Sequence, residues 1–228
     1  MNQNKVHFIY IIPTDKDNVA EQAITNVALH LQAWYRWQLG GKTFTLTNPI
    51  VQVCHSTHDS TWFANNGAPD GDWTRFYWNN GLHELRALAG GGFGQPNNDW
   101  VTYIDAPSRD GQHFGGNHEG YCGVAVLSGK DVASVRGVDP DWRQCRGIGG
   151  CGHETGHTFG LPHPANRNPH ALMWTGYSGY PNCILQDADK SLLLANPFFT
   201  SIPAQAPKGL CPFNQRPILP PRGKPARP

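Results

Sequence analysis

A chain of 228 residues with a hydrophobic fraction of 39% and eight tryptophans can bury a sizeable core, as one large domain or two closely packed subdomains. Its formal charge of +1 supplies no basic field for nucleic acid and no attraction to a membrane surface, and apolar runs such as "FIYII" and "GVAVL" are far too short to span a bilayer. Gly (26) and Pro (19) together stay below the share that marks disorder, so the expectation is a folded, loop-rich protein.

In chain order, "KVHFIYIIP" reads as a fully buried strand, β-branched and aromatic and stopped by Pro13. After the turn "TDKDN", apolar residues at Ala20, Ile24, Val27, Leu31, Trp34 and Tyr35 recur every three or four positions. That spacing predicts an amphipathic helix closed by Gly40-Gly41. "KTFTLTNPIVQVCHS" reads as one or two strands broken near Asn48-Pro49, and a second helix covers about 72–89. "DWVTYIDAP" and "GYCGVAVLSG" read as further strands, and a helix from about Ile148 to Phe159 follows. "QDADKSLLLAN" predicts a last helix with Asp187 as its cap, and from Cys211 the chain becomes proline-rich and basic. The order implies an α+β fold: an upper part over 1–163, a lower part over 164–211 and a tail over 212–228.

The six cysteines (54, 122, 145, 151, 183 and 211) contain no C-x-x-C pair, so disulfides are expected rather than a zinc ribbon or redox motif. Three disulfides are expected, with connectivity open among about 15 pairings and Cys145–Cys151 and Cys183–Cys211 the favoured pairs. This cysteine usage leads to the expectation of an oxidising, extracellular setting, the alternative being buried free thiols in a cytosolic protein. The first residues lack the pattern of a signal peptide, so a mature form whose export signal lies elsewhere is expected.

The chemistry concentrates in "CGHETGHTFGLPHP", residues 151–164. On a helix, positions i and i+4 face the same way, so His153 and His157 present two imidazoles to one point. Gly160 is where such a helix ends in a left-handed residue, and Pro162 stiffens the return that delivers His163 as a third ligand. Three protein ligands leave a fourth tetrahedral position for water, the arrangement of a catalytic zinc site, with Glu154 placed to act as general base. The chain carries its own controls. Its other His-Glu pairs, "HELRA" at 83–87 and "HEGYC" at 118–122, have no histidine at i+4.

Residues 153–163 match the long zinc motif of the metzincin proteases at His153, Glu154, His157, Gly160 and His163, and Met173 in "ALMWTGY" stands where that clan has its methionine turn. The chain thus resembles the metzincins over about 150–177, with local similarity to snapalysins and serralysins. The resemblance implies a metzincin-like catalytic domain: a mixed sheet with active-site and backing helices above the cleft, and a smaller irregular C-terminal part with a terminal helix. It also implies that Met173 is a hydrophobic floor under the histidines and not a ligand. It implies an edge strand that binds substrate by β-augmentation, for which Gly123, Val124, Ala125 and Val126 are the candidates. Thr175 replaces the tyrosine that serralysins and astacins carry two residues after the methionine, and Tyr177 and Tyr180 are off that register.

Other histidine-rich stretches read differently. "GQHFGGNHEG", with His113, His118 and Glu119, reads as a glycine-rich loop, and "HSTHDS" at 55–60 as a solvated turn after a strand. Loop aspartates leave calcium open, but no EF-hand spacing exists. The expected protein is a secreted, monomeric zinc endopeptidase acting on protein or peptide, with no nucleic-acid or membrane partner. Two other readings share these residues: an extracellular binding protein in which zinc only stabilises, and a zinc hydrolase of non-peptide amides.

Overall fold

Strand β1 (Lys5–Ile12) sits inside the sheet, and its alternating side chains face two separate apolar layers. Val6, Phe8, Tyr10 and Ile12 enter one core; Ile9 and Ile11 enter the other. Burial on both faces is why "KVHFIYII" is a continuous apolar run and not an alternating one. The computed structural model describes residues 4–65, 76–108, 115–119 and 122–213.

The fold is α+β. Helix α1 (Glu21–Gln38) crosses from β1 to β2 (Leu46–His55), a short α2 (Trp62–Asn65) precedes α3 (Phe76–Ala89), and β3 (Asn98–Ile104), β4 (Gly116–Glu119) and β5 (Cys122–Leu127) complete the sheet. Then come α4 (Gly129–Val135), α5 (Gln144–Thr158), a 3-10 turn at Gly176–Gly179 and α6 (Asp187–Ala195). The sheet order is β2-β1-β3-β5-β4, parallel throughout except for β4, which runs antiparallel to β5. Residues of α1, α4 and α5 build the larger core with Val101, Tyr103, Ala125 and Leu127, while α3 packs Tyr77, Trp78 and Leu85 on the opposite face. Among the described residues, no helix is long and apolar enough to cross a membrane.

Several sequence expectations need correction. "GYCGVAVLSG" does form a strand, but β5 lies between β3 and β4, so Gly123, Val124, Ala125 and Val126 are not at an edge. All four are buried, Val124 and Val126 in the core on the α3 side. The edge belongs to β4, in the stretch expected to be a loop. Strand β2 runs through Asn48-Pro49 as a single element, with a register shift against β1 between Val6 and Phe8. Helix α6 is capped by Gln186 and not Asp187: the Gln186 N–H donates to the Asp189 carboxylate at 2.9 Å.

The disulfide pattern also differs. Cys145 bonds Cys211, while Cys54, Cys122, Cys151 and Cys183 are free thiols. Cys145 and Cys151 share α5. Six residues of helix separate them by about 9 Å of rise, beyond the roughly 7 Å limit for a bridge. The observed bridge ties the segment after α6 to the first turn of α5.

A buried polar joint fastens the far end of α5 to the sheet. Asp99 of β3 is fully buried and accepts hydrogen bonds from the Gly123 N–H (2.6 Å) and the Thr158 hydroxyl (2.5 Å). A side chain on Gly123 would stand 2.4 Å from the Thr158 Cα, so glycine is what lets β5 and α5 meet there. Burial raises the Asp99 pKa to about 7, against the opposing pull of the Thr158 and Gly123 hydrogen bonds.

The folded state therefore holds a proton on Asp99 that the unfolded chain releases near pH 4, so this group's contribution to stability falls as pH rises from about 4 to about 7. Asp99→Asn keeps the acceptor and removes the titration. Thermal unfolding of the two proteins across that window should show the wild type losing ground to the variant as pH rises, and parallel curves would contradict the joint. For the cysteines, the denatured, non-reduced chain should weigh two hydrogens less than the reduced one and offer four thiols to alkylation.

Candidate metal centre

Helix α5 begins at Gln144, four residues earlier than its apolar pattern announces, and ends where the sequence places the stop. Gly160 adopts a left-handed φ of 89°. The Gly160 N–H bonds the His157 carbonyl at 3.0 Å and the Leu161 N–H bonds the Gly156 carbonyl at 3.0 Å, a Schellman closure. This termination turns the chain back and brings His163 beside the helix.

The three histidines converge. The Nε2 atoms of His153 and His157 are 3.1 Å apart, those of His157 and His163 3.0 Å, and those of His153 and His163 3.2 Å. The other ring nitrogens explain why. His153 Nδ1 lies 2.7 Å from the Leu172 carbonyl and His157 Nδ1 lies 2.7 Å from the Leu161 carbonyl. A carbonyl only accepts, so each Nδ1 carries the hydrogen and each Nε2 presents a lone pair to the common point. Lone pairs this close repel unless a cation lies between them. Tetrahedral zinc at about 2.0–2.1 Å from each nitrogen needs ligand separations of about 3.3 Å, so the donor set fits that ion. His153, His157 and His163 are the cluster of metal-binding type found among the described residues.

Glu154 is nearly buried, and its Oε2 accepts the Gly116 N–H at 2.5 Å. Gly116 opens β4, and the approach is close: a Cβ there would lie 2.3 Å from the Glu154 carbonyl oxygen and 3.2 Å from the His157 Cβ. The sheet edge therefore runs directly beside the histidine cluster. Met173 is fully buried, with its sulfur where a side chain on Gly156 would have to go, so the turn at Met173 packs against α5. Leu172, one residue earlier, supplies the carbonyl that orients His153.

Cys151 lies two residues from His153 but is no competitor for a metal. It is completely buried, and burial pushes its pKa up to about 12, so it stays a thiol. Among the described residues, no other histidine joins the cluster. His58 stacks on Trp62 at 3.8 Å, and Asp59 accepts the Thr61 and Trp62 N–H groups at 3.0 Å, so "HSTHDS" is a turn that starts α2. His113 and the side chains of His118 and Glu119 lie outside the described residues. Sequence reasoning missed the orienting carbonyls of Leu161 and Leu172, which no side-chain motif encodes. It also missed the aromatic rim: Tyr177 edge-on to His153 at 5.3 Å and Trp174 at right angles to His163 at 5.8 Å.

No protein-family model matches the sequence, and neither does any curated protein. The fold is similar to that of wild-type OgpA from Akkermansia muciniphila, with a TM-score of 0.56 and 18% identity over 89% of this chain and 63% of that one. Catalytically inactive OgpA, solved with an O-glycopeptide substrate, glycodrosocin, aligns with a TM-score of 0.55 and 17% identity over 90% of this chain and 63% of that one. An archaemetzincin from Methanopyrus kandleri gives a TM-score of 0.42 at 17% identity, over 83% and 94% of the two chains. This chain spans 63% of the length of OgpA. It shares with OgpA an α+β fold.

Proposed function

We propose that this chain is a secreted zinc-dependent endopeptidase. The observation that carries the reading is the convergence of three imidazole Nε2 atoms within 3.2 Å, two of them fixed as lone-pair donors, beside a nearly buried glutamate. His153, His157 and His163 would hold the metal. A zinc ion there would supply the Lewis acid that lowers the pKa of a water to near 7 and polarises a carbonyl.

The chain's own groups do the rest. An extended peptide pairs with β4, the outermost strand of the sheet among the described residues, which carries its backbone past the cluster. Glu154 takes the proton of the attacking water and delivers it to the departing amine nitrogen as the C–N bond breaks. The Gly116 N–H anchors one carboxylate oxygen and so fixes the orientation of the other. The Leu172 carbonyl holds His153 by its Nδ1. A peptide substrate is in keeping with the O-glycopeptide bound by OgpA, and the Cys145–Cys211 bridge is in keeping with an oxidising compartment.

Purified protein should contain close to one equivalent of zinc. His157→Ala should lose most of it, and His163→Ala should also lose metal although the residue is exposed and contributes little to the core. Full metal content and activity in His163→Ala would remove the third ligand from the scheme. Glu154→Gln keeps an acceptor for the Gly116 N–H, so zinc content and melting temperature should stay near wild type while peptide hydrolysis falls about 10²- to 10⁴-fold. Wild-type turnover in that variant would exclude Glu154 as the base. A zinc-loaded wild type that cleaves nothing in a denatured proteome would point instead to a binding protein.

A further inference from the structure

The lower rim of the histidine cluster has an unusual charge pattern. From Thr155 to Gln186 the sequence contains no aspartate and no glutamate, and its one permanent cation is Arg167. Arg167 is exposed, four residues beyond His163, and its guanidinium lies 5.7 Å from the centre of the Trp174 ring. Trp174 is half-buried and stands at right angles to His163. Guanidinium, indole and ligand imidazole thus form one contiguous wall.

The backbone holds Arg167 in place. Its φ is 49°, a left-handed value that few side-chain-bearing residues adopt, and its N–H closes a turn on the Pro164 carbonyl at 3.0 Å. Asn166 reaches Gln186 at 2.7 Å, and the Asn168 side chain accepts the His170 N–H at 3.0 Å, so the segment on both sides is fastened. Among the described residues, the ion pairs are His58–Glu84, Lys130–Asp141 and Lys190–Asp187, and none engages Arg167. A guanidinium lying over an aromatic face keeps its N–H fork available in its own plane, the geometry that grips a carboxylate through two parallel hydrogen bonds.

We propose that Arg167 is a specificity-determining residue that takes a carboxylate carried by the substrate next to the bond being cleaved. This rests on the endopeptidase reading. The carboxylate belongs either to an aspartate or glutamate side chain or to an acidic sugar on a glycosylated residue. Trp174 is the positioning residue: its ring holds the guanidinium toward the cleft and limits how many rotamers must be frozen on binding.

The test uses zinc-loaded protein and matched peptide sets. One flanking position at a time carries Asp, Asn, Glu, Gln or Lys, or an O-linked sugar with or without a carboxylate. The wild type should favour an acidic group over its neutral isostere at one position by about tenfold in kcat/KM, an exposed charge-assisted contact being worth about one such factor. The side-chain and sugar arms tell which source supplies the carboxylate. Arg167→Ala should collapse that ratio toward one with zinc content unchanged, and Arg167→Glu should turn it in favour of lysine. Trp174→Ala should lower the ratio part-way. Equal rates on acidic and neutral substrates at every position would overturn the proposal and leave the endopeptidase reading standing. A preference that survives Arg167→Ala would trace to the metal's own charge and would overturn it equally. Absence of any hydrolysis by the wild type would remove both.

Discussion

Helix α5 approaches its neighbours more closely than side chains permit, and the candidate site depends on that closeness. A Cβ on Gly149 would stand 2.5 Å from the Tyr177 carbonyl oxygen, one on Gly152 2.9 Å from Leu31, and one on Gly156 within the Met173 sulfur. Gly116 and Gly123 do the same from the sheet side. The glycine-rich run "GIGGCGHETG" is costly for a helix, by roughly 0.5–1 kcal/mol per glycine relative to alanine. In return, α5 seats flush against α1, the sheet and the turn after Met173. That contact brings the Leu172 carbonyl within reach of His153 and the β4 backbone within reach of Glu154. A helix of ordinary side chains would stand farther off and lose both.

The legible parts of this architecture were those encoded in side-chain periodicity. β1, α1, β3 and α6 appear nearly where their apolar spacing put them, because burial alone decides such elements. The histidine cluster was legible for a related reason: i, i+4 spacing and a glycine stop are local rules that tertiary context seldom overrides. Strand β4 was not legible. "GNHE" has no apolar alternation, since a short edge strand is held by backbone pairing to β5 and by the gap its glycines leave for α5. The disulfides failed for a different reason. Pairing depends on the distance between Cα atoms, and the early start of α5 put Cys145 and Cys151 on one rigid rod.

Polar groups inside the protein serve geometry more than stability. Asp99 sits where a hydrophobic residue would pack more cheaply, yet its carboxyl group, bonded to the Gly123 N–H and the Thr158 hydroxyl, is what joins β5 and α5 across a gap kept open by glycine. Tyr35 does similar work at mid-helix, donating its buried hydroxyl to the Gly152 carbonyl at 2.8 Å, one residue before the first histidine. Both place the start and end of the ligand-bearing stretch without entering the cleft.

The left-handed residue at Gly160 has a further consequence. His153 and His157 precede it on the helix and His163 follows it, so a cation shared by the three closes a ring of chain that contains the helix terminus itself. Fraying of that last turn opens the ring, and closing the ring suppresses fraying. Ion affinity and the order of the helix end are then one linked equilibrium, in which each must favour the other by the same free energy. A substitution at Gly160 that never touches an imidazole would weaken ion binding by what it costs the turn. Removing the ion would in turn loosen amide protection first over the residues that run from the end of α5 to His163.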